Sequence, residues 1–313
     1  MVRFRFLTIL RAERRVILRH NKTYFMSANI LITGATGNIG SELAKQLSAQ
    51  DVPFRAIVRS LKGTEALAAL KGATLITGDL NDPASLQQAL QGVDKAFLLT
   101  SSSEQAETQQ LNFVKAAQEA GVQHIVKLSQ FAAAKGSPVR FLRYHAVVEE
   151  AIQQSGMAYT FLRPNLFMQG LLGFRDSIVH KSAFFAAIGN AKISMVDIRD
   201  IAAVAAAALT SNKHNNKIYD LTGPAAVTHA EVAAQLSNVL GRTIQFIDVT
   251  PADMRHALDG AGFPAWQADG LIEDYAHYAR GEAAVVAKSI EEVTGRPARD
   301  FGTFARDYAG MFK

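Results

Sequence analysis

The residues whose types and spacing carry the clearest chemistry are Gly34-Ala35-Thr36-Gly37-Asn38-Ile39-Gly40, which follow the apolar run Ile30-Leu31-Ile32 after the single residue Thr33. Each glycine has a separate use. Gly34 permits a tight turn, Gly37 lets backbone amides approach a pyrophosphate, and Gly40 allows a helix to pack closely on the strand. Thr36, Asn38 and Ile39 belong to the same cradle, and the start of the helix adds partial positive charge. A strand, a glycine-spaced turn and a helix in that order predict a dinucleotide site.

The end of the second strand decides which dinucleotide. An acidic residue there would bond the ribose hydroxyls of NAD, whereas a base suits a 2′-phosphate. This strand ends Val58-Arg59-Ser60, with Lys62 close by. Arg59 can pair with a phosphate and stack on adenine, so NADP(H) is the expected cofactor, with NAD(H) second. Asp79 and Leu80, in Gly78-Asp79-Leu80, are expected at the adenine. Thr100 and Ser101 end the fourth strand beside the cofactor path, although such residues also serve as helix caps.

These residues need a scaffold. From Asn29 onward, short apolar runs alternate with longer segments of helical period, the pattern of a parallel sheet with crossover helices on both faces. Strands are expected at Asn29–Thr33, Phe54–Arg59, Ala73–Thr77, Lys95–Thr100, His124–Ser129 and Ala158–Arg163, with a seventh at Ile218–Leu221. Helices are expected near Ile39–Gln50, Thr64–Lys71, Ala84–Gln91, Glu104–Ala120 and Val139–Gln154. The fold class is therefore α/β, a Rossmann-type doubly wound parallel sheet. After Arg163 the regularity gives way to aromatic, glycine-punctuated stretches such as Phe167-Met168-Gln169-Gly170, read as a smaller C-terminal substrate lobe. The expected organisation is a basic extension over 1–26, a dinucleotide-binding domain over 27–165, and a lobe over 166–313 interleaved with the late strands.

Composition removes other classes. The net charge of +5 is concentrated in residues 1–26, which hold seven basic residues and one acid, so the remainder is nearly neutral. A basic surface for nucleic acid is not indicated. The segment has too short an apolar stretch for a secretory signal, and a non-native start upstream of Met26 is the favoured expectation, with a tail or transit sequence as the alternative. The longest apolar run, Ile201 to Leu209, has nine residues, against about 20 for a membrane-spanning helix. There is no cysteine, which excludes disulfides and thiolate chemistry and fits a cytoplasmic location. The eight histidines show no metal-ligand spacing, and neither a Gly-x-Ser-x-Gly elbow nor a Walker loop occurs. No metal site is expected.

The turn at Thr33–Gly40, Gly78-Asp79-Leu80, Arg163-Pro164-Asn165 and Val196-Asp197-Ile198-Arg199-Asp200-Ile201-Ala202 together resemble the NmrA-like atypical short-chain dehydrogenases/reductases, from about Asn29 to the C-terminus. The tracts Arg143-Tyr144-His145 to Glu149 and Tyr159-Thr160-Phe161-Leu162-Arg163 are similar to those of its NAD(P)H-dependent quinone and triphenylmethane reductases. The wider superfamily uses a Tyr-x-x-x-Lys pair, but here Tyr144 is followed four residues on by Val148, which cannot stabilise a phenolate. The resemblance instead implies a role for His145, at the nicotinamide ribose or carboxamide or as a proton shuttle; the alternative is a structural pair with Glu149 one turn later. Ser129 and Phe131 after the fifth strand, Pro164 and Asn165 after the sixth, and Phe167 and Met168 beyond them are the further candidates for the nicotinamide and a flat substrate.

Two functions are compatible with this reading. One is an NADPH-dependent reductase delivering hydride to a flat, electron-poor acceptor such as a quinone or dye, which needs little acid catalysis. The other is a sensor that binds NADP(H) without turnover, a property the resemblance also implies. An isomerase on the same fold is disfavoured by the missing lysine. A small-molecule acceptor is the expected partner, and a monomer or small homo-oligomer the expected state.

Overall fold

Strand β1 (Ile30–Ile32) is buried throughout and shows why this sheet must be covered on both faces: Ile30 and Ile32 enter one apolar core and Leu31 the other. Side chains alternate across a strand, so a continuous apolar run supplies two cores at once. The computed structural model describes residues 29–313; the reading of residues 1–26 lies outside them.

The chain continues through α1 (Asn38–Ala49), β2 (Phe54–Val58), α2 (Glu65–Ala68), β3 (Ala73–Thr77), α3 (Pro83–Leu90), β4 (Lys95–Leu98), α4 (Ala106–Glu119), β5 (His124–Leu128), α5 (Arg140–Gln154) and β6 (Ala158–Pro164). There follow α6 (Arg175–Lys181), β7 (Ala183–Ala186), α7 (Ile198–Thr210), β8 (Lys217–Leu221), α8 (His229–Leu240), β9 (Gln245–Asp248), α9 (Pro251–Gly260), α10 (Ala265–Ala279), α11 (Ser289–Thr294) and α12 (Phe301–Asp307). Seven strands form one sheet in the order β3-β2-β1-β4-β5-β6-β8, every neighbouring pair parallel. It is the α/β doubly wound sheet expected from the alternation of runs.

One face of the sheet packs on α1 and α7, the other on α3, α4 and α5. Helix α7 is alanine-rich, with Ala202, Ala205, Ala206 and Ala208 fully buried, so small side chains permit its close packing within this layer. A separate apolar core gathers Ile178, Phe184, Leu236, Phe304 and Phe312 from α6, β7, α8, α12 and the C-terminal turn. Strands β7 and β9 pair there as a two-stranded parallel sheet. Neither was expected from the sequence: each has four residues and lies in the stretch after Arg163 where the regular alternation of runs and helical segments gives way. Helix α2 is also shorter than the expected Thr64–Lys71, since the chain turns at Gly72 with φ +80°.

Overfilling the α7 layer supplies a stability test. Ala205→Leu is expected to destabilise the protein by about 1–3 kcal/mol, whereas Ala207→Leu, only half-buried on the same helix, should change it by less. Urea unfolding of the two variants checks this, and equal effects would refute it.

Candidate active site

In an open parallel sheet, ligands sit beyond the strand carboxyl ends where the strand order reverses. Here that point lies between β1 and β4, whose chains depart to opposite faces. Thr33, fully buried, ties the two together: its hydroxyl lies 2.7 Å from the carbonyl of Leu99 and 2.8 Å from the Leu99 amide. This fixes the turn that follows.

Two of the three glycines, Gly34 and Gly40, are required by the backbone. Gly34 has φ +64°, and a Cβ on it would lie 2.9 Å from Leu99 Cγ. A Cβ on Gly40 would lie 2.1 Å from the Gly34 carbonyl oxygen, so any side chain would force α1 off the turn. Gly37 opens α1 without a side-chain cap, and the amides of Asn38, Ile39 and Gly40, in the first turn, have no helical partner. By contrast, α3, α7, α8, α9 and α12 are capped by Asp82, Asp197, Thr228, Thr250 and Asp300. The uncapped start of α1 faces a cleft of about 720 Å³.

That cleft is lined by Gly34, Thr36, Gly37, Asn38 and Ile39 from the turn, Arg59 from the end of β2, Asp79 and Leu80 after β3, Thr100 and Ser101 after β4, and Phe167 after β6. These expected site residues therefore share one wall system. Gly40 lies beneath it, buried. Ser103, Gln105, Gln109, Gln169, Gly170 and Ile198 also belong to the lining and were not among the expected site residues, because no motif marks them. Gln169 spends its amide internally, donating to Asp197 at 2.9 Å and accepting from the Ile198 amide at 3.1 Å.

A family model for the NmrA-like family matches residues 26–301. The chain belongs to the NmrA-like family. It is 40% identical to an NAD(P)H azoreductase of Xenophilus azovorans over 90% of this chain and 99% of that protein. It is 36% identical to the (4-alkanoyl-5-oxo-2,5-dihydrofuran-3-yl)methyl phosphate reductase of Streptomyces griseus over 90% and 99%. An NADPH-dependent quinone oxidoreductase of Escherichia coli, solved with NADPH, superposes with a TM-score of 0.81 at 31% identity, covering 91% of this chain and 100% of that one.

The remaining NmrA-like candidates lie behind the cleft wall. Asn165 is buried and its side chain bonds within the protein: it donates to Ser194 Oγ at 2.8 Å and the Ala283 carbonyl at 2.9 Å, and accepts from the Leu166 amide at 2.8 Å. Both amide protons are thereby taken within the protein. Pro164 accepts the Phe131 amide at 2.9 Å and, like Phe131 and Ser129, is absent from the lining. Ser129 is buried with its hydroxyl unpartnered. Met168, expected beside a flat substrate, instead enters the C-terminal core and borders a small separate cavity with Met195 and Phe301. The 3₁₀ turn starting at Met168 swings its side chain away from Phe167.

His145 is buried in α5, and its partner is not the Glu149 of the alternative, structural reading. Glu149 is taken by Arg163, at 2.9 and 2.5 Å. His145 Nδ1 lies 2.8 Å from the Nζ of Lys127, a fully buried residue of β5 that the sequence reading passed over. Lys127 also donates to Gln110 Oε1 at 2.8 Å and the Leu128 carbonyl at 3.0 Å, and Gln110 Nε2 donates to Thr100 Oγ1 at 2.7 Å. A four-residue network therefore reaches from β5 to the cleft wall. Burial pushes Lys127 down to about 7, only partly offset by Glu149. Burial, and then the Lys127 charge, hold His145 well below its ordinary range. Tyr144 contacts Ser102 Oγ at 3.4 Å, and burial raises its hydroxyl to about 12, so it keeps its proton near neutral pH and does not supply a phenolate.

The lowered Lys127 makes stability depend on pH with a definite sign. The unfolded lysine holds its proton up to about 10.5 and the folded one releases it near 7, so the unfolded state binds more protons between these values and stability rises with pH there. Wild type should therefore gain stability relative to Lys127→Met as pH rises from about 7 to about 10. Unfolding curves across that window measure it, and parallel pH profiles would contradict the assignment.

Proposed function

We propose that the chain transfers hydride from NADPH to a flat, electron-poor acceptor such as a quinone or dye. The coarser class, an NAD(P)H-dependent oxidoreductase of the NmrA-like family, agrees with the azo, furanone and quinone reductases to which it is similar. The observation that carries the finer reading is the division of the cleft. Its charged lining residues, Arg59 and Asp79, follow β2 and β3, whereas the stretch formed by Thr100, Ser101, Phe167, Gln169 and Gly170 is uncharged.

The residues present fit the cofactor. The free first-turn amides of α1 suit a pyrophosphate, and the backbone at Gly37 can be approached closely because only the Gly34 oxygen, at 3.4 Å, would touch a Cβ there. Arg59, exposed at the end of β2, suits a 2′-phosphate. When bound, NADPH supplies the hydride. The chain's own share is to hold and orient: Thr100 Oγ1 accepts from Gln110, so its own proton remains available to a group in the cleft. Phe167 offers an aromatic face to a planar acceptor.

A phosphorylated acceptor, as in the name of the Streptomyces relative, finds no cation among the lining residues of the uncharged stretch. Neutral or cationic planar acceptors fit it better, and positioning provides most of the rate for acceptors that are already electron-poor.

The deciding measurement is loss of reduced-nicotinamide absorbance with a panel of quinones and azo and triphenylmethane dyes. Turnover preferring NADPH is expected. Tight NADPH binding with no acceptor reduced would instead establish a sensor. In Arg59→Ala, kcat/KM for NADPH should fall by about 10–100-fold, the worth of a charge-assisted hydrogen bond to phosphate, with NADH little affected. An equal loss for both cofactors would remove Arg59 from the 2′-phosphate site.

A further inference from the structure

The three neighbours of Lys127 Nζ constrain where protons can sit. The Leu128 carbonyl is an acceptor only. Gln110 must present Oε1 to the lysine, because its Nε2 donates to Thr100 Oγ1. Two of the three positions around Nζ are therefore fixed as acceptors, and the third is His145 Nδ1 at 2.8 Å. We propose that Lys127 is a positioning residue that sets which ring nitrogen of His145 carries the proton.

The two protonation states of the amine give opposite answers. As an ammonium, Lys127 has three protons for three acceptors, so Nδ1 of the neutral imidazole offers its lone pair and the ring proton sits on Nε2. As an amine it has two protons, which the Gln110 and Leu128 oxygens take, and its lone pair faces Nδ1. The ring proton then sits on Nδ1, and Nε2 becomes an acceptor. The proton count closes: on going from the first state to the second, Nε2 releases one proton while one lysine proton crosses the hydrogen bond to Nδ1. The imidazole is neutral before and after.

The surroundings favour a change of state in the neutral range. From α5, Lys127 faces His145 and Glu149, and from α4 the uncharged Gln110. Glu149 is held by Arg163 of β6, with Asp220 of β8 near both, and Tyr144 stacks beside His145 with ring centroids 4.2 Å apart. Burial dominates this set and places Lys127 at about 7. His145 stays neutral throughout, for the same reason. Nε2 is not among the buried atoms left without a partner. What it presents therefore changes from donor to acceptor as pH rises. In the reductase reading, on which only this consequence rests, the low-pH state has a proton to give and the lysine behind it as the source that refills Nδ1.

The test is histidine-ring ¹⁵N NMR of the full-length protein from about pH 6 to 9, the range around the Lys127 midpoint, with the lysine ¹⁵Nζ followed in parallel. The expected result is an unprotonated Nδ1 at low pH, a crossing to Nδ1–H, and a midpoint shared with Lys127. Lys127→Met should abolish the crossing. One tautomer throughout the range, separate midpoints for the two residues, a charged ring, or a crossing unchanged in Lys127→Met would each overturn the proposal. Because wild type alone gives the first three readouts, they stand even if the variant fails to fold. None depends on turnover, so a protein that oxidises no NADPH but shows the crossing would sink the reductase reading and leave this one intact.

Discussion

The approach of α1 to the turn after β1 is the constraint on which the site depends. A carbonyl oxygen at Gly34 occupies the space where any side chain at position 40 would begin. The helix can therefore start hard against the sheet, with its first amides uncapped, only because position 40 is glycine. Thr33 makes the same junction rigid from below by bonding across to the β4 exit. Anion recognition at a helix start is a matter of fractions of an ångström and a partial charge that fades within one turn. Precision in the backbone, rather than any reactive side chain, is what this part of the chain provides.

The far wall is held differently, by buried charge. Asp197 caps α7 through the Arg199 amide at 2.9 Å and also pairs with the Arg199 guanidinium, which reaches on to Asp307 of α12. Asp200, one turn into α7, accepts the Arg299 amide at 2.7 Å and pairs with its guanidinium. The tract Asp197-Ile198-Arg199-Asp200 thus joins the sheet layer to the C-terminal core while Ile198 lines the cleft. Such pairs contribute little net stability once desolvation is counted. They do fix the place of one element against another, which an apolar contact of equal size does less exactingly.

What the sequence made legible follows from how local each signal is. The six strands up to β6, and β8, were readable because an apolar run between helical segments has one stable use. The turn at Gly34–Gly40 was readable because its glycines, strand and helix are contiguous. Arg59, Asp79 and Thr100 could be placed because they end strands whose order the motif implies, and all three line the cleft. Readability failed where a side chain's direction depends on packing. Met168 follows Phe167 by one residue, yet a 3₁₀ turn sends it into another core. Asn165 has the right chemistry for a ligand, and its two amide protons go to Ser194 and Ala283, partners that lie far off in sequence.

Lys127 was the instructive omission, and its signal was present. In β5, Ile125 belongs to the core under α3, α4 and α5, while Val126 and Leu128 belong to the opposite one. Alternation therefore turns Lys127 onto the same face as Ile125, beneath two helices, in the middle of a seven-stranded sheet. A lysine is almost never fully buried without a partner. From sequence this demands polar groups at matching positions on α4 and α5, and Gln110 and His145 are those groups. The lysine that the superfamily places four residues after its tyrosine is Val148 here, in the apolar core. An amine returns to the same neighbourhood from the strand instead of the helix, bonded to the histidine beside Tyr144 rather than set behind the tyrosine itself. The exchange moves the titratable pair from phenol and amine to imidazole and amine. With Tyr144 held at about 12 and Lys127 at about 7, it is the second pair that can change state near neutral pH.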